Sequence, residues 1–334
     1  MKAIMLVEPG KLEVINIPEP VCPENGMLVK IAFCAICSTD VYMFRRGHRA
    51  LKYPVVPGHE ISGTVIKVSH ESNAFKVGDR VIVGPGINCG ACQYCLSARE
   101  NLCPEIKILG FNHPGGMAEY LAVPARMIDA GWIRKIPDNV TLEEATLAEP
   151  LACCINGIEK LDIARRSKVL IIGGGPIGCL FAWLLRGDNC KQVIIAEKDP
   201  RRRSMVEELR AAHETIDDLK EIDTFDVLIL ACRYFPDAEW LSTGLAKEGQ
   251  ILLFSGTEEE FLNTSWIRLV HYNEWKVFGA YGCRPSQLEK ALVLMKEGLV
   301  PARKLIDNCF SPEDINEAFG LVESNNCLKV LIKF

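Results

Sequence analysis

The 334-residue sequence lacks several features that would assign it to a special class of protein. It contains no low-complexity segment and no internal repeat, and its 49% apolar and 24% charged residues are typical of a globular protein. Basic residues are not in excess, since 38 Lys and Arg stand against 43 Asp and Glu for a net charge of −5. We therefore expect no nucleic-acid partner and no anionic membrane surface, and the composition excludes disordered, collagen-like and disulfide-stapled proteins.

The N-terminus also lacks a long hydrophobic segment, because its apolar residues are soon followed by Glu8-Pro9-Gly10. No signal peptide or membrane span is predicted there, and we expect a cytoplasmic protein. Cysteine, by contrast, is abundant, with 15 residues. Because a reducing compartment disfavours disulfides, some of these cysteines are expected to bind metal and others to be small buried residues.

The pattern of apolar runs and turn residues changes twice along the sequence, near 151/152 and 283/284. The three resulting segments predict an α/β plus β fold. Residues 1–151 contain short apolar runs broken by Gly and Pro, which predict a barrel-like β region. Residues 152–283 alternate continuous apolar runs with helical patterns, which is typical of βαβ units, and residues 284–334 predict helices and a closing strand. The predicted parallel strands are Lys168–Ile172, Gln192–Ala196, Phe225–Ala231 and Gln250–Phe254, with a short strand at Glu214–Ile216 and helical patterns at Pro200–Ala212 and Pro236–Ala246.

A glycine-rich loop, Gly173-Gly174-Gly175-Pro176-Ile177-Gly178, follows the first of these strands and precedes an apolar helix pattern. An acidic residue, Glu197, ends the next strand. A G-x-G-x-x-G motif in this context is the fingerprint of a dinucleotide site, whose pyrophosphate binds at the helix N-terminus. Glu197 is expected to bind the adenosine ribose and to favour NAD over NADP. Arg201, Arg202 and Arg203 keep NADP open as the alternative, and Arg202 is a further candidate cofactor ligand.

Four cysteines form a C-x2-C-x2-C-x7-C cluster at Cys89, Cys92, Cys95 and Cys103. Four thiolates satisfy a tetrahedral zinc ion completely and predict a structural site. An iron–sulfur cluster remains the alternative, because it uses similar spacing. A second set of potential metal ligands, Cys37, His59, Glu60 and Glu149, is dispersed along the sequence. Taken singly, Cys37 is also explained as a core residue, His59 as a buried ring with a hydrogen-bond partner, and Glu149 as a helix-end acid.

These motifs together resemble the zinc-dependent medium-chain alcohol dehydrogenase family. The resemblance covers essentially the whole chain and is carried by the cysteine cluster, the glycine loop, Cys37-Ser38-Thr39-Asp40, Gly58-His59-Glu60 and Gly78-Asp79-Arg80-Val81. It implies a GroES-like catalytic barrel, a Rossmann domain and a cleft between them. It also implies two zinc ions per subunit, NAD as cofactor, and a homodimer or homotetramer.

The resemblance further implies that Cys37 and His59 bind a catalytic zinc, with Glu60 joining or close behind, while Thr39 handles the proton of the alcohol. Glu149 stands where ethanol-type relatives carry cysteine, and a glutamate there resembles the polyol dehydrogenase branch, with threonine 3-dehydrogenase nearby. The implied substrate is a secondary alcohol of a polyol, sugar, cyclitol or related compound. A carboxylate in place of a thiolate also gives a harder ligand set.

One departure leaves alternatives open. Tyr42 stands where many relatives place the histidine that relays protons to solvent, so that a tyrosine hydroxyl, water or His48 would have to replace it. We therefore keep a threonine-dehydrogenase-like enzyme and a non-catalytic NAD(H)-binding relative as alternatives. A nucleic-acid-binding zinc module is disfavoured by the net charge of −5.

Overall fold

A computed structural model describes residues 1–48, 51–69, 74–164, 166–186, 190–256 and 265–334. The chain divides into two compact units. The first comprises residues 1–152 and 283–334, and the second comprises residues 153–282. Among the described residues, no helix has the length and apolar character that crossing a membrane requires.

The elements are numbered in chain order. The strands are β1 (Lys2–Glu8), β2 (Lys11–Asn16), β3 (Met27–Ala35), β4 (Glu60–Val68), β5 (Arg80–Val83), β6 (Gly86–Ile87), β7 (Lys107–Ile108), β8 (Tyr120–Val123), β9 (Ile133–Lys135), β10 (Lys168–Ile172), β11 (Gln192–Ala196), β12 (Glu214–Ile216), β13 (Phe225–Leu230), β14 (Leu245–Leu253), β15 (Lys276–Gly279), β16 (Ile306–Phe310) and β17 (Lys329–Lys333). The helices are α1 (Ser38–Arg46), α2 (Gln93–Leu96), α3 (Ala125–Asp129), α4 (Leu142–Ala145), α5 (Ala148–Ile158), α6 (Pro176–Leu185), α7 (Pro200–Leu209), α8 (Ala238–Gly244), α9 (Ser265–Asn273), α10 (Pro285–Lys296) and α11 (Ile315–Glu323).

The first unit is β-rich, as its short apolar runs predict. Its main sheet has the order β16-β17-β3-β4-β5-β9, with β8 also paired to β3. All of these pairs are antiparallel except β16 with β17. A separate hairpin joins β1 to β2. Strand β17 comes from the last segment of the chain, so the sheet of this unit combines residues from both ends of the sequence.

The register of three strands brings distant parts of the sequence to one end of this sheet. Ala35, at the end of β3, pairs with Glu60, which begins β4, and also with Leu331 of β17. Because β3 is antiparallel to both neighbours, its carboxyl end adjoins the beginnings of both. The segment after Ala35 and the residues that open β4 and β17 therefore meet at this edge.

The second unit contains the predicted parallel sheet. Its six strands have the order β12-β11-β10-β13-β14-β15, in which chain order reverses at β10, as in dinucleotide-binding folds. The inner strands are continuous buried runs because both faces of the sheet are covered. Strand β12 is short, as predicted, and the core includes Leu170, Ile194, Leu228 and Ile251. The predicted α/β plus β fold class is confirmed.

The predicted helices of this unit are longer than the observed ones. Helix α7 ends at Leu209 rather than at residue 212, because Arg210 adopts a left-handed conformation with φ of 49°. Helix α8 begins after Asp237, whose carboxylate accepts the N–H of Trp240 as an N-cap. It ends at Gly244, since the following residues already belong to β14. Helix ends depend on such local caps, and the spacing of apolar residues does not predict where these caps lie.

Candidate functional site

Three of the four dispersed candidate ligands lie together in the first unit. One ligand atom each from Cys37, His59 and Glu60 falls within 4.8 Å of the others. His59 and Glu60 are buried, with 7% and 1% exposure, and Cys37 is half-buried. These residues flank the carboxyl end of β3 and the start of β4, so the antiparallel register of the two strands explains why they meet.

Cys37 is the N-cap of helix α1, and its position is fixed by reciprocal hydrogen bonds. Its sulfur accepts the backbone N–H of Thr39 at 3.5 Å, while its own N–H donates to Oδ2 of Asp40 at 2.9 Å. The Cys37 side chain also accepts the backbone N–H of Asp40, so Cys37 and Asp40, the third helical residue, form a capping box in which each satisfies the other. Asp40 thus holds the cap that presents the Cys37 sulfur.

Asp40 also faces His59. Its Oδ1 lies 3.5 Å from Nδ1 of the His59 ring, and Asp40 is 1% exposed. Burial alone would lower the pKa of His59, but the Asp40 carboxylate and the Cys37 sulfur outweigh it and hold that pKa well above 6.5. With Nδ1 turned to a carboxylate, Nε2 is the ring atom available to a metal, an arrangement common in metal sites.

Glu60 is paired with a lysine from the far end of the chain. Nζ of Lys329 donates to Oε1 of Glu60 at 2.6 Å, and the two side chains are 6% and 1% exposed. Burial lowers the pKa of Lys329, yet the charges of Glu60, Cys37 and Glu149 raise it above its usual 10.5. Lys329 therefore stays cationic and neutralises part of the negative charge of the site.

Several polar atoms of this cluster are buried and lack a hydrogen-bond partner among the described residues. They are Oδ1 of Asp40 and Nδ1 of His59, which face each other at 3.5 Å, and Oε2 of Glu60. Leaving a buried charged group unsatisfied is costly, and Oε2 of Glu60 is the atom that an ion or water would satisfy. The combination of sulfur, imidazole and an unpartnered carboxylate oxygen fits a zinc-like cation.

The other predicted catalytic residues lie nearby in sequence or in fold, but outside this group of three. Glu149 lies in the first turn of α5 and is 9% exposed. Its carboxylate lies within 4.8 Å of the Cys283 sulfur and, among the described residues, is not part of the Cys37 group. Its charge nevertheless acts on Lys329. Thr39 is half-buried in the first turn of α1, and the roles assigned to both residues stay predictions.

Aromatic rings lie beside the cluster. The ring of Phe111 is 5.6 Å from that of His59 and 5.7 Å from that of His48. Phe111 therefore packs against both the exposed His48 and the buried His59.

The four cysteines of the predicted structural site form a second cluster in the same unit. Their sulfur atoms lie within 4.8 Å of one another, with 3.5 Å between Cys92 and Cys95 and 3.9 Å between Cys89 and Cys95. Backbone N–H groups lower the pKa of Cys89 to about 7, whereas burial raises the pKa of Cys103 to about 12. Four Zn–S bonds of about 2.3 Å in a tetrahedron require sulfur atoms about 3.8 Å apart, so the spacing fits one ion.

The glycine loop of the second unit has the geometry of a phosphate site. Gly173 has a φ of 109°, which side-chain-bearing residues rarely adopt, and a Cβ on Gly178 would lie 1.9 Å from the Gly173 oxygen. Gly175 is the N-cap of helix α6 and Pro176 its first residue, followed by Ile177. The free N–H groups at a helix N-terminus are a common binding site for phosphate and other anions, and this loop leads directly into one.

Glu197 is attached to this loop by backbone hydrogen bonds. Its carboxylate accepts the N–H groups of Gly174 and Asp199 at 2.9 Å and 3.0 Å, and it lies 3.9 Å from the Arg202 guanidinium. Asp199 in turn caps helix α7 by accepting the N–H groups of Arg201 and Arg202. The predicted cofactor residues thus form one connected group at the carboxyl ends of β10 and β11.

Sequence reasoning missed three residues that the structure places against these sites: Asp40, Lys329 and Asn88. A capping-box pattern in Cys37-Ser38-Thr39-Asp40 was the available signal for Asp40. For Lys329, which lies 269 positions from Glu60, the sequence offers no signal. Asn88 directly precedes Cys89 and donates to the Cys95 sulfur at 3.2 Å.

Comparisons with known proteins agree with this geometry. Residues 23–137 match the alcohol dehydrogenase GroES-like domain. D-altritol 5-dehydrogenase of Agrobacterium fabrum is 30% identical over 310 residues, covering 91% of this chain and 90% of that protein. L-threonine 3-dehydrogenase of Cronobacter sakazakii is 27% identical and matches 100% of both chains.

Solved structures show the same likeness. An alcohol dehydrogenase of Escherichia coli CFT073, crystallised with NADH, superposes with a TM-score of 0.87 at 27% identity, covering 100% of this chain and 99% of that one. With the two metal-ligand clusters and the glycine loop in place, the chain is an oxidoreductase that belongs to the zinc-dependent medium-chain alcohol dehydrogenase family.

Proposed function

We propose that this dehydrogenase oxidises a secondary alcohol of a polyol, sugar, cyclitol or related compound to the ketone, and catalyses the reverse reaction, with NAD(H). NAD bound by the second unit would supply the acceptor for the hydride of the carbinol carbon, while the substrate hydroxyl would lose its proton. The observation that carries this proposal is the group of Cys37, His59 and Glu60, whose ligand atoms lie within 4.8 Å of one another, together with the buried Oε2 of Glu60, which has no hydrogen-bond partner among the described residues. The relative named for D-altritol supports a polyol-like substrate.

Cys37, His59 and Glu60 would hold the catalytic zinc, with Glu149 as a further or exchanging ligand. A zinc ion bound there supplies a Lewis acid that lowers the pKa of the alcohol. Asp40 orients the His59 ring, and Lys329 keeps one oxygen of Glu60 occupied. The Thr39 hydroxyl accepts the hydrogen bond of the substrate hydroxyl and passes its proton outward. Tyr42 replaces the usual relay histidine, so the outward step uses another group.

NAD is the cofactor that the second unit fits best. The N-terminus of α6 would bind the pyrophosphate, and Glu197 would accept hydrogen bonds from the adenosine ribose hydroxyls. A 2′-phosphate would instead meet the Glu197 carboxylate, which already lies beside Arg202. With NAD bound, Arg202 would contact the ribose side of the site and balance the charge of Glu197.

The four-cysteine cluster would hold a structural zinc ion. Its thiolates leave no ligand position open to substrate, and the sulfur spacing fits a single ion better than an iron–sulfur cluster, in which the cysteine sulfurs lie on separate irons. The 15 free cysteines favour a reducing compartment such as the cytoplasm. The partner is a small-molecule alcohol, and the family resemblance favours a homodimer or homotetramer.

The proposal is tested by following NADH absorbance with purified zinc-loaded protein against polyols, sugar phosphates, cyclitols and L-threonine. Turnover of a polyol-like alcohol, abolished by Cys37→Ser while NAD binding persists, is the expected result. Preferred turnover of L-threonine would favour the second candidate, which rests on the likeness to threonine 3-dehydrogenase. Full turnover by the Cys37→Ser protein would refute the assigned site.

A further inference from the structure

Asn88 lies between the four-cysteine cluster and the core of the first unit. It directly follows β6, precedes Cys89, and is only 2% exposed. Its Nδ2 donates to the Cys95 sulfur at 3.2 Å, and its Oδ1 accepts the indole N–H of Trp132 at 2.8 Å. One buried amide thus contacts a metal-ligand sulfur on one side and a core tryptophan on the other.

The orientation of this amide follows from the chemistry of its neighbours. The indole nitrogen of Trp132 can only donate a hydrogen bond, so the oxygen of Asn88 must face it. The NH2 group then necessarily points to Cys95, where it can donate to a thiolate. A flipped amide would place two donors together at Trp132 and an oxygen against a sulfur that carries negative charge when it binds metal.

Trp132 is itself held in one position. It is 1% exposed, and its carbonyl accepts the N–H of Gly84 at 2.8 Å. A Cβ on Gly86 would lie 2.3 Å from the indole ring, so the backbone of β6 passes directly against its face. The indole N–H therefore has a fixed position, and its hydrogen bond fixes the position of the Asn88 amide oxygen.

We infer that Asn88 is a positioning residue of the four-cysteine metal site, in which Trp132 fixes the amide that orients and partly neutralises the Cys95 thiolate. The inference rests on the proposed structural metal. Residues that hydrogen-bond to metal ligands raise metal affinity by about 10- to 100-fold in known sites. Since four thiolates around one divalent ion carry a net charge of −2, an N–H donor to sulfur also reduces the excess negative charge.

The test measures metal in the four-cysteine site of the full chain. All proteins carry Cys37→Ser, so that the other cluster contributes no thiolate. The variants are Asn88→Leu, which removes both bonds at similar volume, and Asn88→Asp, which keeps an acceptor for Trp132 but has no donor. Trp132→Phe removes the anchor. Trp275→Phe is the matched control, because Trp275 is 4% exposed and its indole donates to the Ala246 oxygen in the second unit.

Two readouts separate positioning from general stability: the rate of zinc transfer to a chelating dye, and the energy of the thiolate-to-cobalt charge-transfer bands after cobalt substitution. We expect Asn88→Leu and Asn88→Asp to release zinc about 10- to 100-fold faster and to shift the bands to lower energy, with a smaller change for Trp132→Phe. Trp275→Phe should lower the Tm without changing either readout.

Unchanged release rates and band energies in both Asn88 variants would overturn the inference and leave the structural metal standing. A parent protein in which the four cysteines bind neither zinc nor cobalt would overturn both proposals. If Asn88→Leu does not fold, Asn88→Asp and Trp132→Phe still decide between these results.

Discussion

The two metal-ligand clusters of the first unit differ in almost every property that can be compared. The four-cysteine cluster lies within 15 consecutive residues, Cys89–Cys103, and uses one ligand type. The cluster of Cys37, His59 and Glu60 joins two separate segments, mixes three ligand types and includes a buried carboxylate oxygen, Oε2 of Glu60, with no hydrogen-bond partner in the part of the chain that the structure describes. The first has the properties of a closed structural site, and the second has those of a site built to exchange ligands.

The difference also lies in how each cluster is supported. Backbone N–H groups of the cysteine loop itself donate to its sulfurs, as from Cys92 to Cys89 at 3.3 Å. The cluster of Cys37, His59 and Glu60, here called the mixed cluster, receives backbone N–H groups of the described residues only at Cys37 and depends in addition on two charged side chains, Asp40 and Lys329, one of which comes from a distant strand. A loop that supplies its own donors stabilises its structure locally, whereas a site that depends on remote charges requires the whole unit to be folded.

Replacing one cysteine in each cluster should separate function from stability, and this is the largest effect expected. Cys37→Ser should lower kcat/KM by more than about 1,000-fold, because the Lewis acid loses a ligand, with little change in Tm. Cys92→Ser should release the structural metal and lower the Tm, because metal binding to such a site contributes to folding. Activity assays and calorimetry measure the two effects. Equal losses of Tm in both variants would contradict the contrast.

Removing the buried lysine should destabilise the mixed cluster alone. In protein whose mixed cluster holds no zinc, Lys329→Met leaves Glu60 as an uncompensated buried carboxylate, and breaking such a pair costs about 3–5 kcal/mol. Urea unfolding measures the loss. Glu60→Gln combined with Lys329→Met should recover much of it, while zinc in the four-cysteine site remains. Additive losses in the double variant would show that the two side chains do not depend on each other.

Asp40→Asn tests the orientation of His59. The amide can still occupy the same space, but it lacks the carboxylate charge that faces Nδ1, so metal affinity at the mixed cluster should fall about 10- to 100-fold. Metal analysis after dialysis against graded chelator should show one zinc lost early and one retained. Asp199→Asn is a suitable control, because that aspartate caps a helix in the second unit. Loss of both zinc ions together would contradict the assignment.

Glu149→Gln should give the smallest effect. If Glu149 is an exchanging ligand of the mixed cluster, we expect about a tenfold loss of metal affinity there, within the range for supporting residues, and none at the four cysteines. Cobalt spectra of the mixed cluster, recorded in the chelator series, measure the change. Spectra and affinity identical to the parent protein would remove Glu149 from the ligand set.

Sequence reasoning succeeded where the chemistry is local. The cysteine spacing, the glycine loop and the apolar runs of the parallel sheet all lie within short segments, and each was confirmed as a structural feature. It failed for Lys329 and Trp132, since pairing across 269 and 44 positions is decided by strand register and packing. A lysine at the start of a strand has no local pattern that distinguishes it from a solvated one. The predicted helix ends were wrong for a related reason, because a helix end is set by single capping residues such as Asp237.

The ion pair between Glu60 and Lys329 has a consequence for biosynthesis. At ribosomal rates of 5–20 residues per second, the 269 positions that separate the partners take roughly 15–50 s to translate. During that interval the emerging carboxylate has no counter-ion, and the central strand β3 lacks its neighbour β17. The second unit, residues 153–282, can therefore be fully synthesised and folded before the first unit has its final strand.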